Sequence, residues 1–236
     1  MKAYVFVEGP SDVEGLKALW QSWLLRLRPS GHGIAVFSLK DKSNYLKKFG
    51  ERAAERLVAN PDDVVVGLPD LYPVTPFDPT EYQHRNLEEL KQLQRKAVIK
   101  SLQKTQNCSK STAEGIAGQR LYTSALKYDF EMLLLAAKEA LRLALGTSEA
   151  LGNWKEPVED QNFEHPPKRV VEELFLSKSS TRRAYRDTKD APSVLRRVKD
   201  IASILKTDSG RCTCPEFVAA LRWMGDKFGV HCCQLP

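Results

Sequence analysis

No stretch of eighteen consecutive apolar residues occurs in the 236-residue chain, so no segment reads as a membrane span. The opening "MKAYVFVEGP" has only a short apolar run, broken by Glu8, and gives no cleavable signal; the expected location is the cytoplasm. Cysteine is scarce and odd in number. Five residues, mostly near the C-terminus, read as reduced thiols rather than a disulfide framework. Internal repeats and low-complexity tracts are also missing, which excludes solenoids and disordered tails. What is present is a 42% hydrophobic composition, enough for a substantial globular core.

The net charge of +6 is confined to one region. Positions 167–211 hold 12 of the 36 Lys and Arg but only 6 of the 30 Asp and Glu, and the rest of the chain is balanced.

The N-terminal half alternates two periodicities. Ala3–Val7 is a short apolar run. Ser11 and Glu14 fit a capping box for a helix whose apolar face is Val13, Leu16, Leu19, Trp20, Trp23 and Leu24. Gly33–Leu39 is a second strand candidate, followed by a helix with Tyr45, Leu46, Phe49, Ala53 and Leu57 on one face. Asp63–Tyr72 is a third β-branched run, with a long charged helix from about Asn86. Leu121–Leu126 continues the series as a fourth strand leading into a helix from about Asp129. Strands separated by helices imply parallel pairing, hence an α/β fold: an open parallel sheet with helices on both faces, over residues 1–146. After Gly146 the pattern is loop and short helices around Lys168–Phe175, Ser193–Leu205 and Pro215–Phe228. Residues 147–236 thus read as a basic, mainly helical C-terminal part packed on the first.

Acidic residues close the strand candidates. Glu8 ends the first, Asp70 lies just past the third, and Asp129 and Glu131 lie past the fourth. Ligands of open parallel sheets bind outside the carboxyl ends of the strands. Carboxylates meeting there repel one another unless a cation joins them, and all-oxygen ligation suits Mg²⁺ or Mn²⁺. Asp12 and Glu14 are explained by helix-start electrostatics. Between Asp70 and the next helix, Pro69, Pro73, Pro76 and Pro79 stiffen the loop.

"YVFVEGPSDVEGL" followed by "VVVGLPDLY" resembles the TOPRIM domain of topoisomerases, primases and overcoming-lysogenization-defect nucleases. That resemblance implies a TOPRIM-like fold in which Glu8 and Asp70 bind Mg²⁺, although Tyr72 stands where the family's second aspartate is expected. The chain also resembles an uncharacterised bacterial domain-of-unknown-function family of TOPRIM-like proteins. The resemblance lies in "DLY" (Asp70–Tyr72), "YDFE" (Tyr128–Glu131), "PPKRV" (Pro166–Val170) and "CPEF" (Cys214–Phe217), in that order. It implies metal binding by Glu8, Asp70 and Glu131, with Asp129 completing the catalytic acids and Tyr128 in place of a histidine. It also implies work beside an ATPase of the chromosome-segregation type in defence or DNA processing.

The expected function is Mg-dependent phosphodiester cleavage in nucleic acid, as a nuclease subunit; the alternative is a non-catalytic subunit that binds nucleic acid or the ATPase. Lys168 and Arg169 fit a phosphate clamp. Arg182, Arg183, Arg186, Arg196 and Arg197 form the expected phosphate-binding region. Cys212, Cys214, His231, Cys232 and Cys233 could offer soft ligands, but the tight Cys-x-Cys spacing and the adjacent pair disfavour structural zinc.

Overall fold

The computed structural model describes residues 1–78, 80–160, 164–206 and 211–233; Pro79 of the proline-rich loop lies outside them. β1 (Lys2–Val7) leads into α1 (Pro10–Leu19) and α2 (Gln21–Leu27), then β2 (Gly33–Ser38) and α3 (Lys42–Ala59). β3 (Val64–Gly67) is followed by α4 (Leu87–Gln106), α5 (Lys110–Arg120) and β4 (Leu121–Thr123). The helices α6 (Met132–Ala136), α7 (Lys138–Leu145), α8 (Pro167–Ser177), α9 (Asp187–Leu195), α10 (Ala202–Leu205) and α11 (Pro215–Phe228) complete the described chain. The four strands form one all-parallel sheet in the order β2-β1-β3-β4.

Alternation along the strands explains the two helical layers. Ala3, Val5, Val7, Val64, Val66 and Leu68 face one core, shared with α1, α2 and α6–α11. Phe6, Val65 and Leu121 face the other, shared with α3, α4 and α5. Strands buried on both sides read as continuous apolar runs, as these do. Gly67 faces the second layer. A Cβ there would sit 2.1 Å from Gln94 Oε1 and 2.6 Å from the Tyr45 hydroxyl. The bare backbone leaves space for buried Gln94, which accepts from Tyr45 at 2.9 Å and donates to Ser124 O at 2.8 Å.

The C-terminal helices cover the first face. Trp20 stacks on Phe217 with centroids 6.2 Å apart and an 8° interplanar angle, and Trp23 Nε1 donates to Val230 O at 2.9 Å. Buried Glu159 accepts from the backbone amides of Glu216 and Phe217, satisfying donors left open at the start of α11.

Several boundaries differ from the sequence reading. Gly9, not Ser11, is the N-cap of α1. Pro10 presets the first helical φ, and Asp12 rather than Glu14 reaches back, accepting from Gly9 N–H at 2.8 Å. The first helix breaks at Trp20, where both indoles turn inward and meet edge-on at 6.2 Å. Asp129 and Glu131 lie in the turn before α6 rather than inside a helix. The expected helix over Ser193–Leu205 is two, α9 and α10. α5 was not anticipated. Its apolar contacts are mostly the small residues Ala113 and Ala117, a weak periodic signal. No described helix is long and apolar enough to cross a membrane.

Candidate functional site

The chain leaves β1 for β2 on one side and returns to β3 on the other, so the strand order reverses between β1 and β3. The carboxyl ends of these two neighbours flank the crevice in which open α/β sheets bind ligands. Glu8 follows β1 directly. Its backbone carbonyl accepts from Ser38 Oγ at 2.8 Å, and its Oε1 accepts from Asp70 N–H at 3.1 Å. Asp70 is held in register beyond β3 because Leu71 N donates to Leu126 O at 2.7 Å and Leu126 N to Pro69 O at 2.8 Å. The turn after β4 then brings Asp129 and Glu131 to the same edge.

The four acids expected from sequence therefore lie within electrostatic reach of one another at this edge, and Asp12 joins them. Burial is the largest influence on each. It raises Glu8 and Glu131 to about 8 and Asp129 to about 6, and lifts Asp12 above the usual carboxylate range. Asp70 is pushed well up by burial and then by the charges of Glu8, Asp12, Asp129 and Glu131. Asp70 Oδ1 and Asp129 Oδ1 are buried without a hydrogen-bond partner. Buried polar atoms are almost always paired, so two unpartnered carboxylate oxygens set this edge apart from the rest of the core.

The surrounding positive groups are few. Lys42, buried at the start of α3, donates to Asp70 O at 2.6 Å and to Leu71 O. Burial lowers its affinity for the proton while Glu8 and Asp70 oppose that shift. Asp129 Oδ2 accepts from Lys168 N at 3.2 Å, at the start of α8, and the Lys168 charge also favours ionised Asp129 and Glu131. The Tyr185 hydroxyl donates to Glu131 Oε1 at 3.2 Å. Tyr72 and Tyr128 stack on each other beside the acids, centroids 5.0 Å apart and 23° from parallel.

Gly15 sets the spacing on the α1 side. A Cβ there would lie 2.3 Å from Phe130 Cζ, so the ring between Asp129 and Glu131 packs directly on the α1 backbone, one turn beyond Asp12.

An all-carboxylate donor set with free oxygens suits a hard divalent cation. As the side chains lie, no group of three His, Cys, Asp or Glu among the described residues forms a ready-made metal centre. The donors are therefore chemically suited but not gathered around one point.

The basic residues are dispersed. Arg169 pairs with Glu173 at 3.2 Å on an exposed face. Arg183 makes two 2.6 Å bonds to Asp190 and lies over the Phe175 ring, which ties it to the fold. Arg186 stands 3.8 Å from the same aspartate. Arg197 donates to Ser193 O and Oγ, while Arg182 and Arg196 are exposed. At the C-terminus, Cys232 and Cys233 sulfurs are 3.4 Å apart and Cys214 is buried in the core.

Sequence reasoning missed Asp12 and Lys42 as members of the cluster. Asp12 does the capping work assigned to its region and faces the acids as well, whereas a lysine at a helix start carries no sequence mark of burial.

A family model, Domain of unknown function (DUF4276), matches residues 7–219. The chain belongs to that family. The match starts immediately before Glu8 and runs past Phe217, so the family unit includes every acid of the cluster, the helices through α10 and the start of α11. No curated protein and no solved structure matches the chain.

Proposed function

We propose that the protein is a divalent-metal-dependent phosphodiester-cleaving subunit acting on nucleic acid. The observation that carries this reading is the pair of buried, unpartnered oxygens of Asp70 and Asp129 within a five-carboxylate cluster at the strand-order reversal. The TOPRIM resemblance of the segments around Glu8 and Asp70 supports it, and the resemblance to the domain-of-unknown-function family supports the defence or DNA-processing setting and the partner ATPase.

Glu8, Asp70 and Glu131 would hold Mg²⁺ or Mn²⁺, with Asp129 and Asp12 completing the acidic shell. The bound cation would supply charge neutralisation and stabilise oxygens at phosphorus during displacement. The chain's own groups do the rest. Lys42 fixes the Asp70–Leu71 carbonyls and so the direction of the Asp70 side chain. Glu131, raised to about 8 by burial, would give up its proton when the cation binds, and the Tyr185 hydroxyl, which donates to its Oε1 at 3.2 Å, holds the carboxylate in place. Lys168, beside Asp129, is placed to meet a phosphate oxygen.

Calorimetric titration of Mg²⁺ and Mn²⁺ into wild type, Glu8→Gln and Asp70→Asn, with plasmid and RNA cleavage on the same samples, tests this. Binding and cleavage lost together in both variants is the expected result. Intact substrates with wild type under either cation, alone and with the neighbouring ATPase, overturn it.

A second reading, a non-catalytic subunit that binds nucleic acid or the ATPase, is favoured by one observation. Tyr72 and Tyr128, which replace an aspartate and a histidine of the related patterns, stack on one another rather than offering ligands. Nucleic-acid binding that is independent of metal and unchanged by Glu8→Gln, with no cleavage under either cation, would select it.

A further inference from the structure

The strongest unassigned surface lies on the opposite sheet face from the basic C-terminal helices. α3 and α4 pack so closely that a Cβ on Gly50 would lie 2.7 Å from Ala97 O, and beside that crossing runs a groove of about 660 Å³. Lys96, Lys100 and Lys104 recur every fourth residue along the α4 wall, and Lys47 faces them from α3. All four are exposed, and none forms an ion pair or hydrogen bond among the described residues. Two acids, Glu51 and Glu81, share the lining, leaving cations in excess. The floor between the charges is apolar: Leu46, Leu93 and Ala97, with the Tyr82 ring at one end.

Four-residue spacing places successive ammonium groups about 6 Å apart along the helix, a repeat suited to consecutive phosphates of one extended strand. Three of the four cations stand in one row on α4, an arrangement that follows one phosphate chain rather than the two of a duplex. Cations along a wall and an apolar, partly aromatic floor are the two features by which single strands are held without sequence reading.

At Tyr82 the groove adjoins the loop that follows β3. Tyr82 O lies 2.9 Å from His84 Nδ1, whose Nε2 is 3.4 Å from Leu71 O, next to Asp70. Tyr82 thus joins the groove to the loop that begins at the cluster.

We propose that the Lys47–Lys96–Lys100–Lys104 groove binds the backbone of single-stranded nucleic acid and leads it toward the acidic edge. This rests on the phosphodiester-cleaving reading and names the form of nucleic acid that the site receives.

The test is fluorescence anisotropy with a labelled mixed-sequence single-stranded DNA, and an RNA of the same sequence, in EDTA so that no cleavage intervenes. Wild type is compared with Lys96→Glu/Lys100→Glu, Lys96→Ala/Lys100→Ala and Arg196→Glu/Arg197→Glu, and thermal melting confirms that each variant is folded. The charge reversal is expected to weaken single-strand binding at least tenfold. Loss of two phosphate contacts in the alanine pair is expected to flatten the salt dependence of log K by about 1.4. Affinity and salt slope equal to wild type in both Lys96/Lys100 variants overturn the proposal, as does a wild type with no affinity for either strand. If the lysine variants lose binding while wild type cleaves nothing in Mg²⁺ or Mn²⁺, the groove stands and the cleaving reading alone fails.

Discussion

The backbone amide of Asp70 donates to the carboxylate of Glu8 across the reversal point of the sheet, at 3.1 Å. One strand end therefore solvates the other's charge while the Asp70 carboxylate is left without a partner on Oδ1. Neutralising either acid relieves repulsion. Glu8→Gln and Asp70→Asn are expected to raise Tm in EDTA and to abolish the further rise that Mg²⁺ gives wild type, read by thermal melting with and without the cation.

Stability should depend on pH in an unusual sense. Glu8 and Glu131 are raised from 4.5 to about 8 and Asp129 from 3.8 to about 6, so the folded chain holds protons that the unfolded chain has released. Their contribution is complete below about pH 4 and is lost as pH climbs toward 8. In EDTA, Tm is expected to fall between pH 5 and 8, each tenfold rise in proton affinity corresponding to about 1.4 kcal/mol. Saturating Mg²⁺ should flatten or reverse that slope, and a Tm that rises with pH in EDTA would contradict the buried-cluster electrostatics.

Glu159 anchors the start of α11 from across the core. Glu159→Ala leaves the Glu216 and Phe217 amides without their acceptor, a cost of about 1–3 kcal/mol. A Tm several degrees lower in calorimetry is expected, with Glu159→Gln milder because an amide oxygen still accepts.

The C-terminal helices are needed for the first core. Residues 1–146 alone would expose Trp20, Trp23 and the apolar side of α1, which the full chain covers with α9 and α11. That fragment is expected to bind a hydrophobic dye and melt without cooperativity. Phe217→Ala in the full chain should cost about 3–5 kcal/mol, measured by denaturant unfolding.

The strands were legible because β-branched runs such as Val64–Val66 have no competing helical period, and acids at their ends stood out against apolar neighbours. The meeting of Glu8, Asp70, Asp129 and Glu131 follows from that placement once the strands are parallel. Strand order was not legible, since β3 can follow β2 in sequence and still pair with β1. Neither was the break at Trp20, because the apolar spacing stays helical through it and only the long-range partners Phe217 and Val230 show why the chain turns. Lys42 illustrates a further limit. Its buried role depends on two carbonyls near position 70, and no pattern within α3 encodes them.

Gly15 has a consequence for the charges themselves. Because it offers no side chain, Phe130 lies flush on α1, and the acids on either side of that ring are drawn with it into the buried edge that also holds Asp12. The burial of these acids is thus set in part by steric means, through a residue that carries no charge. Adding one methyl group there would push the Phe130 ring off α1 and let water toward Asp129 and Glu131, lowering proton affinities that burial has raised.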